Sequence, residues 1–129
     1  MPGRVVFFIQ SGGYEPAYSA VSLGITAAAM GDQVYFVFAF DALRQLSRGT
    51  FGSPDNERET AEGARAKGLG LPPPSKMLEE ARGLGAKLVA CETTAKICGL
   101  GLESLSELDE LMGLPMLWRL TEGARVLVF

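Results

Sequence analysis

Two near-continuous apolar runs in the first third of the chain constrain its fold more than any other feature. Residues 4–10 read RVVFFIQ and residues 33–40 read QVYFVFAF. Strands with apolar side chains on both faces must be covered on both faces, as the central strands of parallel sheets are. Two shorter runs, KLVAC at 87–91 and ARVLVF at 124–129, bring the number of expected strands to four.

The segments between these runs carry helix signals. Pro16 suits a first helical turn, and small helix-compatible residues fill 17–30 before Gly31. Further helices are predicted at 42–47 with Asp41 as the cap, and at 75–84, 92–98, 103–112 and 115–122. Alternating strands and helices predict an α/β fold, a three-layer α/β/α sandwich with a mostly parallel sheet of four to five strands. The fifth strand would lie near residues 112–114.

A single domain is expected over residues 1–129, because a chain of this length suits one hydrophobic core. Residues 48–71 interrupt the pattern with glycine, proline and charge. Within them, 57–67 is either a polar helix or mobile chain. We interpret 48–71 as a flexible insertion that can fold as a flap over the carboxyl edge of the sheet.

Composition excludes several function classes. A net charge of −3 and a sequence pI of about 5.0 argue against a nucleic-acid partner. No apolar run approaches the ~20 residues of a membrane span. With two cysteines and no evident signal peptide, a reducing cytoplasm is the expected location. The absence of histidine excludes Ser-His or Cys-His catalysis and imidazole-bound zinc, and no metal or cofactor is expected.

Cys91 is the strongest candidate nucleophile. It ends the third strand and precedes a helix, whose unpaired N–H groups and macrodipole favour a thiolate. The alternative is a small buried apolar residue, as many free cysteines are. Cys98 is a candidate second thiol, but seven helical residues separate the two by about 10.5 Å along the axis. A disulfide between them would require the helix to unwind.

A second candidate site follows the first strand, at Ser11, Gly12, Gly13 and Tyr14. The carboxyl ends of parallel strands lie at one edge of a sheet, so this turn and Cys91 are expected to share a pocket. The turn either binds a small anion through its backbone N–H groups or is simply a tight turn that needs glycine. Thr93 and Thr94 either line the same pocket or pack in the first helical turn.

Three segments give the chain a family resemblance: QSGGYEP at 10–16, KLVAC at 87–91 and ARVLVF at 124–129. Their order and spacing resemble the DsrE/DsrF-like family of small sulfur-relay proteins. The resemblance implies a persulfide on Cys91, sulfur donor and acceptor proteins as partners, and a homotrimer or homohexamer. Either the 116–118 region or the helix at 17–30 would be buried between subunits.

Three functions therefore remain open. The first is a sulfur carrier or sulfurtransferase, in which displacement at sulfur requires only a reactive, accessible thiol. The second is a thiol-redox protein that uses Cys91 and Cys98. The third is a non-enzymatic module for small-anion binding or assembly.

Overall fold

Five parallel strands form one sheet in the computed structural model, which describes residues 2–129 with the exception of the Leu102 side chain. The strands lie in the order β4-β3-β2-β1-β5. Their bounds are β1 Arg4–Ile9, β2 Gln33–Phe38, β3 Lys87–Cys91, β4 Glu110–Met112 and β5 Arg125–Val128. The four strands expected from the apolar runs are confirmed, and the short fifth strand ends at Met112, where the expected one would begin.

Among the described residues, six α-helices lie between these strands, three of them in the long connection from β2 to β3. Their bounds are α1 Tyr14–Ala29, α2 Phe40–Arg48, α3 Glu57–Gly68, α4 Pro74–Gly83, α5 Glu92–Ile97 and α6 Leu114–Leu120. A short 3₁₀-helix covers Leu102–Leu105. The chain thus has the predicted α/β fold with a parallel sheet.

The two faces of the sheet are covered unequally. On one face, Phe7 and Phe36 pack in a large core with side chains of α1, α2 and α4. On the other face, Val6, Val37 and Val89 pack with α6 in a smaller cluster. We call the first the covered face and the second the open face.

Helix α6 is too short to cover the open face. It connects β4 to β5, which lie at opposite edges of the sheet, so the connection crosses about 19 Å of sheet at a strand spacing of ~4.8 Å. Its seven residues are only about 10.5 Å long at ~1.5 Å per residue. Val126 and Val128 of β5 consequently remain 45% and 63% exposed.

The predicted role of Asp41 as a helix cap is wrong. Helix α2 begins at Phe40, Ala39 occupies the cap position, and no side chain caps the helix. Asp41 lies in the first turn, where its Oδ2 accepts a hydrogen bond of 2.8 Å from the Gly12 N–H. The sequence could not show this long-range partner, which draws the carboxylate away from its own helix.

The predicted helix over 103–112 is also wrong. A 3₁₀-turn ends at Leu105, and the chain then extends into β4. Asp109 explains the change, because its Oδ2 accepts from the Leu88 N–H at 2.8 Å and its own N–H donates to the Leu88 carbonyl at 2.8 Å. These bonds attach the segment to β3 and extend the sheet at its edge.

Within the predicted insertion at 48–71, residues 57–67 were expected to be either a polar helix or mobile chain, and the polar helix forms. Helix α3 buries none of its residues, and the Asn56 side chain caps it by accepting from the Glu59 N–H at 2.8 Å. Before it, Phe51 is buried and packs edge-on against Phe38, with ring centroids 5.3 Å apart. The start of the insertion is therefore anchored in the core, and the mobility of the rest stays a prediction.

Candidate functional site

Cys91 lies in the wall of a groove on the open face, at the carboxyl end of the sheet. The groove has a volume of about 630 Å³ and lies between the sheet and α6. Its lining residues are Phe8, Gln10, Val37, Ala39, Phe40, Cys91, Thr94, Leu114, Leu117, Trp118, Thr121, Val126 and Val128. Among these described residues, Cys91 is the only thiol.

Local sequence explains the position of Cys91. Alternation along β3 puts Val89 and Cys91 on the open face and Leu88 and Ala90 on the covered face. Helix α5 begins at the next residue, so Cys91 is both the last strand residue and the helix cap. The strand-to-helix junction predicted from the sequence is therefore confirmed, with the thiol 5% exposed.

The polar groups of the groove are few and engaged with the backbone. The Thr94 hydroxyl donates to the Cys91 carbonyl at 3.2 Å, and the Thr121 hydroxyl donates to the Trp118 carbonyl at 2.6 Å. Gln10 and the indole N–H of Trp118 supply the remaining polar groups. Thr94 thus lines the same groove as Cys91, whereas Thr93 is exposed and does not line it.

The turn at Ser11–Tyr14 does not line this groove, although Gln10 does. The Gly12 N–H donates to Asp41, and the Gly13 N–H donates weakly to Ser11 Oγ at 3.4 Å. A Cβ on Gly12 would lie 2.6 Å from Gln45 Cγ, so the glycine allows the turn to pack against α2. An anion would have to displace the Asp41 carboxylate, which makes the tight turn the better interpretation.

Tyr14 points away from the thiol, into the contact between α1 and α3. Its side chain is buried beside Tyr18, with ring centroids 5.7 Å apart. Burial, together with Tyr18 and the carboxylates of Glu62 and Glu59, raises the pKa of the Tyr14 phenol above its usual value. Tyr14 therefore stays protonated at neutral pH and serves the packing of α3.

Cys98 lies at the far end of α5 and is only partly buried. Arg44 Nη1 donates to its sulfur at 3.3 Å, and another nitrogen of the same guanidinium lies 3.8 Å from Asp41 Oδ1. Cys98 does not line the groove that holds Cys91. Sequence reasoning missed Arg44, because the contact joins α2 to α5 across 54 positions of the chain.

The apolar walls of the groove were also missed. The pattern of β1 and β2 indicated burial on both faces, yet α6 leaves part of one face uncovered. Trp118, expected in the core or in a subunit interface, is 77% exposed at the rim. The length of the connection from β4 to β5 was the available signal for the groove, because this connection has to reach across the whole sheet.

Within residues 2–129, none of the helices is long and apolar enough to cross a membrane. No group of three or more cysteine, aspartate or glutamate side chains in that range is placed to hold a metal ion.

Comparison with known proteins defines the family. The model of the DsrE/DsrF-like family matches residues 4–129, and the chain therefore belongs to that family, as its sequence resemblance indicated. The comparison with curated proteins finds no match.

Solved structures share the fold at low sequence identity. The protein of unknown function MTH1491 from Methanobacterium thermoautotrophicum is 21% identical, with a TM-score of 0.66 and 98% of each chain covered. The ychN protein from E. coli is 19% identical, with a TM-score of 0.66 and 100% of each chain covered. BT1422 from Bacteroides thetaiotaomicron, also of unknown function, is 9% identical at a TM-score of 0.64, covering 98% of this chain and 94% of its own. At these identities the likeness concerns the fold alone.

Proposed function

We propose that this protein is a sulfur carrier that holds sulfane sulfur as a persulfide on Cys91. The Cys91 thiolate attacks the outer sulfur of a donor persulfide, R–S–SH. The donor S–S bond breaks, R–S⁻ leaves with the electron pair, and Cys91 becomes Cys91–S–SH. An acceptor thiolate then attacks that outer sulfur and releases the Cys91 thiolate, so no oxidant or cofactor is consumed.

The observation that carries this proposal is the placement of Cys91 as the one thiol among the described residues of an apolar groove. Cys91 is 5% exposed, which limits contact of a bound persulfide with water and with thiols in bulk solution. Membership in a family of sulfur-relay proteins supports the same chemistry. The sulfur acceptor is expected to be a protein thiol in a reducing compartment.

The redox alternative receives less support from the same geometry. Cys91 and Cys98 lie at opposite ends of α5, and Arg44 binds the sulfur of Cys98. A bond between them would have to break the hydrogen bonds of α5, including the 2.9 Å bond from the Cys98 N–H to the Thr94 carbonyl.

Intact mass spectrometry tests the proposal. The protein is purified without reductant, treated with an organic persulfide, and compared with Cys91→Ser and Cys98→Ser variants. We expect a gain of one sulfur atom in the wild type and in Cys98→Ser, reversed by dithiothreitol, and no gain in Cys91→Ser. A loss of two hydrogens that links the cysteines would instead indicate redox chemistry, and unchanged thiols would indicate a binding or assembly module.

A further inference from the structure

The groove around Cys91 carries no charge among the lining residues that the structure describes. Nearby charged side chains pair with one another outside it. Glu92 lies 3.4 Å from Lys96 on α5, and Arg119 lies 3.9 Å from Glu122 beside α6. A ligand in the groove therefore meets aromatic and aliphatic walls and no charged side chain other than the attacking Cys91 thiolate.

The size of the groove suits a small organic molecule. Its volume of about 630 Å³ falls inside the range of roughly 300–1,000 Å³ found for small-molecule sites, which are mostly apolar with a few polar groups. Gln10 supplies an exposed amide and Trp118 an indole N–H, while the hydroxyls of Thr94 and Thr121 donate to backbone carbonyls. Beyond these neutral groups, the lining offers apolar contact area and no cation that could pair with a carboxylate or sulfonate.

Charged sulfur donors enter such a groove at a cost. An ion that leaves water without gaining a partner loses its solvation, whereas an apolar substituent gains about 25 cal/mol for each Å² removed from water. The same groove thus opposes an anionic donor and favours an apolar one. The difference acts on the approach of the donor to Cys91, before any sulfur is transferred.

We infer that the Cys91 groove accepts sulfur from small organic persulfides whose carbon substituent is apolar and uncharged, and discriminates against anionic sulfur donors. The inference rests on the proposed carrier function and defines its substrate class. The step is the one given above: Cys91–S⁻ takes the outer sulfur of R–S–SH, and R–S⁻ departs through the apolar groove. Phe8, Leu117 and Trp118 would contact the substituent R.

Loading with two donors of the same chemistry tests the preference directly. Benzyl persulfide has an apolar substituent, whereas glutathione persulfide carries two carboxylates and one ammonium group. In a Cys98→Ser background, we expect benzyl persulfide to add sulfur to Cys91 at least about tenfold faster than glutathione persulfide does. Equal rates would overturn the preference, and loading by neither donor would overturn the carrier function.

A second measurement tests whether the groove prefers neutral over charged reagents, even if no persulfide forms. Ethyl, sulfonatoethyl and trimethylammonioethyl methanethiosulfonates share one leaving group, methanesulfinate, which departs as the thiolate attacks the other sulfur. Their rates with Cys91 in the folded protein are divided by their rates with the same chain in urea. The neutral reagent should exceed both ions by about tenfold or more. A fast cation with a slow anion would indicate a negative field instead and would overturn the inference.

Val128→Lys provides the matched variant. Val128 lines the groove at an edge strand and is 63% exposed, so lysine can be placed there without burying its charge. We expect the neutral-to-anionic ratio to fall about threefold or more, because the new charge attracts the anion. Val128→Thr, without charge, and Leu69→Lys, outside the groove on a residue 77% exposed, should keep the ratio. An unchanged ratio in Val128→Lys would contradict the inference that donors reach Cys91 through the groove that Val128 lines.

Discussion

At Gly24, helix α1 packs directly against the ring of Phe36 in strand β2. A Cβ at this position would overlap the ring of Phe36, which is fully buried in the core of the covered face. The contact allows a helix rich in small residues to lie directly on the central strands. Small side chains recur along 17–30, which allows the rest of the helix to follow this close packing.

Gly24→Ala should therefore destabilise the fold by about 1–3 kcal/mol, since overpacking outweighs the better helix propensity of alanine. Urea unfolding followed by circular dichroism measures the change. Gly63→Ala is the matched control, because a Cβ there meets only Pro54 and Tyr14 at 3.6 Å or more. The control should be neutral or stabilising by up to about 1 kcal/mol. Equal effects of the two changes would refute the close approach at Gly24.

At the scale of elements, Asp109 fixes the short edge strand β4 to β3. Besides its bond with the Leu88 N–H, its carboxylate pairs with Arg82 at 2.7 Å. Burial alone would raise the pKa of Asp109, but the hydrogen bonds from Leu88 and Arg82 outweigh burial and lower it below its usual value.

Asp109→Asn should cost about 1–2 kcal/mol of unfolding free energy at neutral pH. A lowered pKa in the folded state stabilises the fold above the unfolded-state pKa of ~3.9, and this contribution is lost as pH falls through the folded-state value. The stability difference between wild type and variant should thus shrink below about pH 4. Chemical unfolding at several pH values measures this pH dependence, with Glu110→Gln, a change at an exposed residue, as control. A difference that does not depend on pH would contradict the ionic role of Asp109.

Helix α3 is the element expected to move. Its contacts with the rest of the chain include an ion pair between Arg58 and Glu15 at 2.9 Å, both largely exposed, and such pairs contribute little. Residues 48–71 do not line the Cys91 groove, so a flap over the thiol receives no support from this placement.

Hydrogen exchange should show fast exchange over 57–67 relative to Val5–Ile9 and Val34–Phe38, because α3 has no buried residue to protect its hydrogen bonds. Exchange as slow as in those strands, measured on the isolated subunit, would rule out a mobile α3. Slow exchange only in an oligomer would indicate that α3 is a subunit contact.

The sequence predicted the central elements well and the edges of the sheet poorly. Runs such as Val34–Phe38 are apolar on both sides and allow few alternatives to a buried strand. The leucines at 105, 108 and 111 have helical spacing, but Leu105 is buried in the core of the covered face and Leu111 is 40% exposed on an edge strand. Their structure depends on hydrogen bonds to β3, and a local pattern cannot show a partner 21 positions away.

At the scale of the whole molecule, the candidate site results from the connection between β4 and β5. The position of Cys91 could be predicted, because a strand end and a helix start meet in adjacent residues. The groove could not, because it depends on which face each helix covers and on how far α6 reaches. The same topology places Ser11–Gly13 against α2 and away from the thiol.

The uncovered apolar rim predicts self-association. Met116 and Trp118 on α6 are each more than half exposed, and exposed apolar side chains of this kind mark protein contacts. We expect sedimentation to give a trimer or hexamer, and Trp118→Lys to lower the mass while Leu69→Lys leaves it unchanged. A wild-type mass near 13.7 kDa at micromolar concentration would contradict this prediction.

The central claim is that Cys91 both accepts and gives up sulfane sulfur, and a single-turnover transfer measures it most directly. The protein is loaded with a persulfide labelled with radioactive sulfur at its outer atom, freed of donor, and mixed with an acceptor thiol. We predict that the label moves to the acceptor from the wild type and from Cys98→Ser, and that Cys91→Ser never acquires it. Label that remains on the chain, or that follows Cys98, would contradict the account.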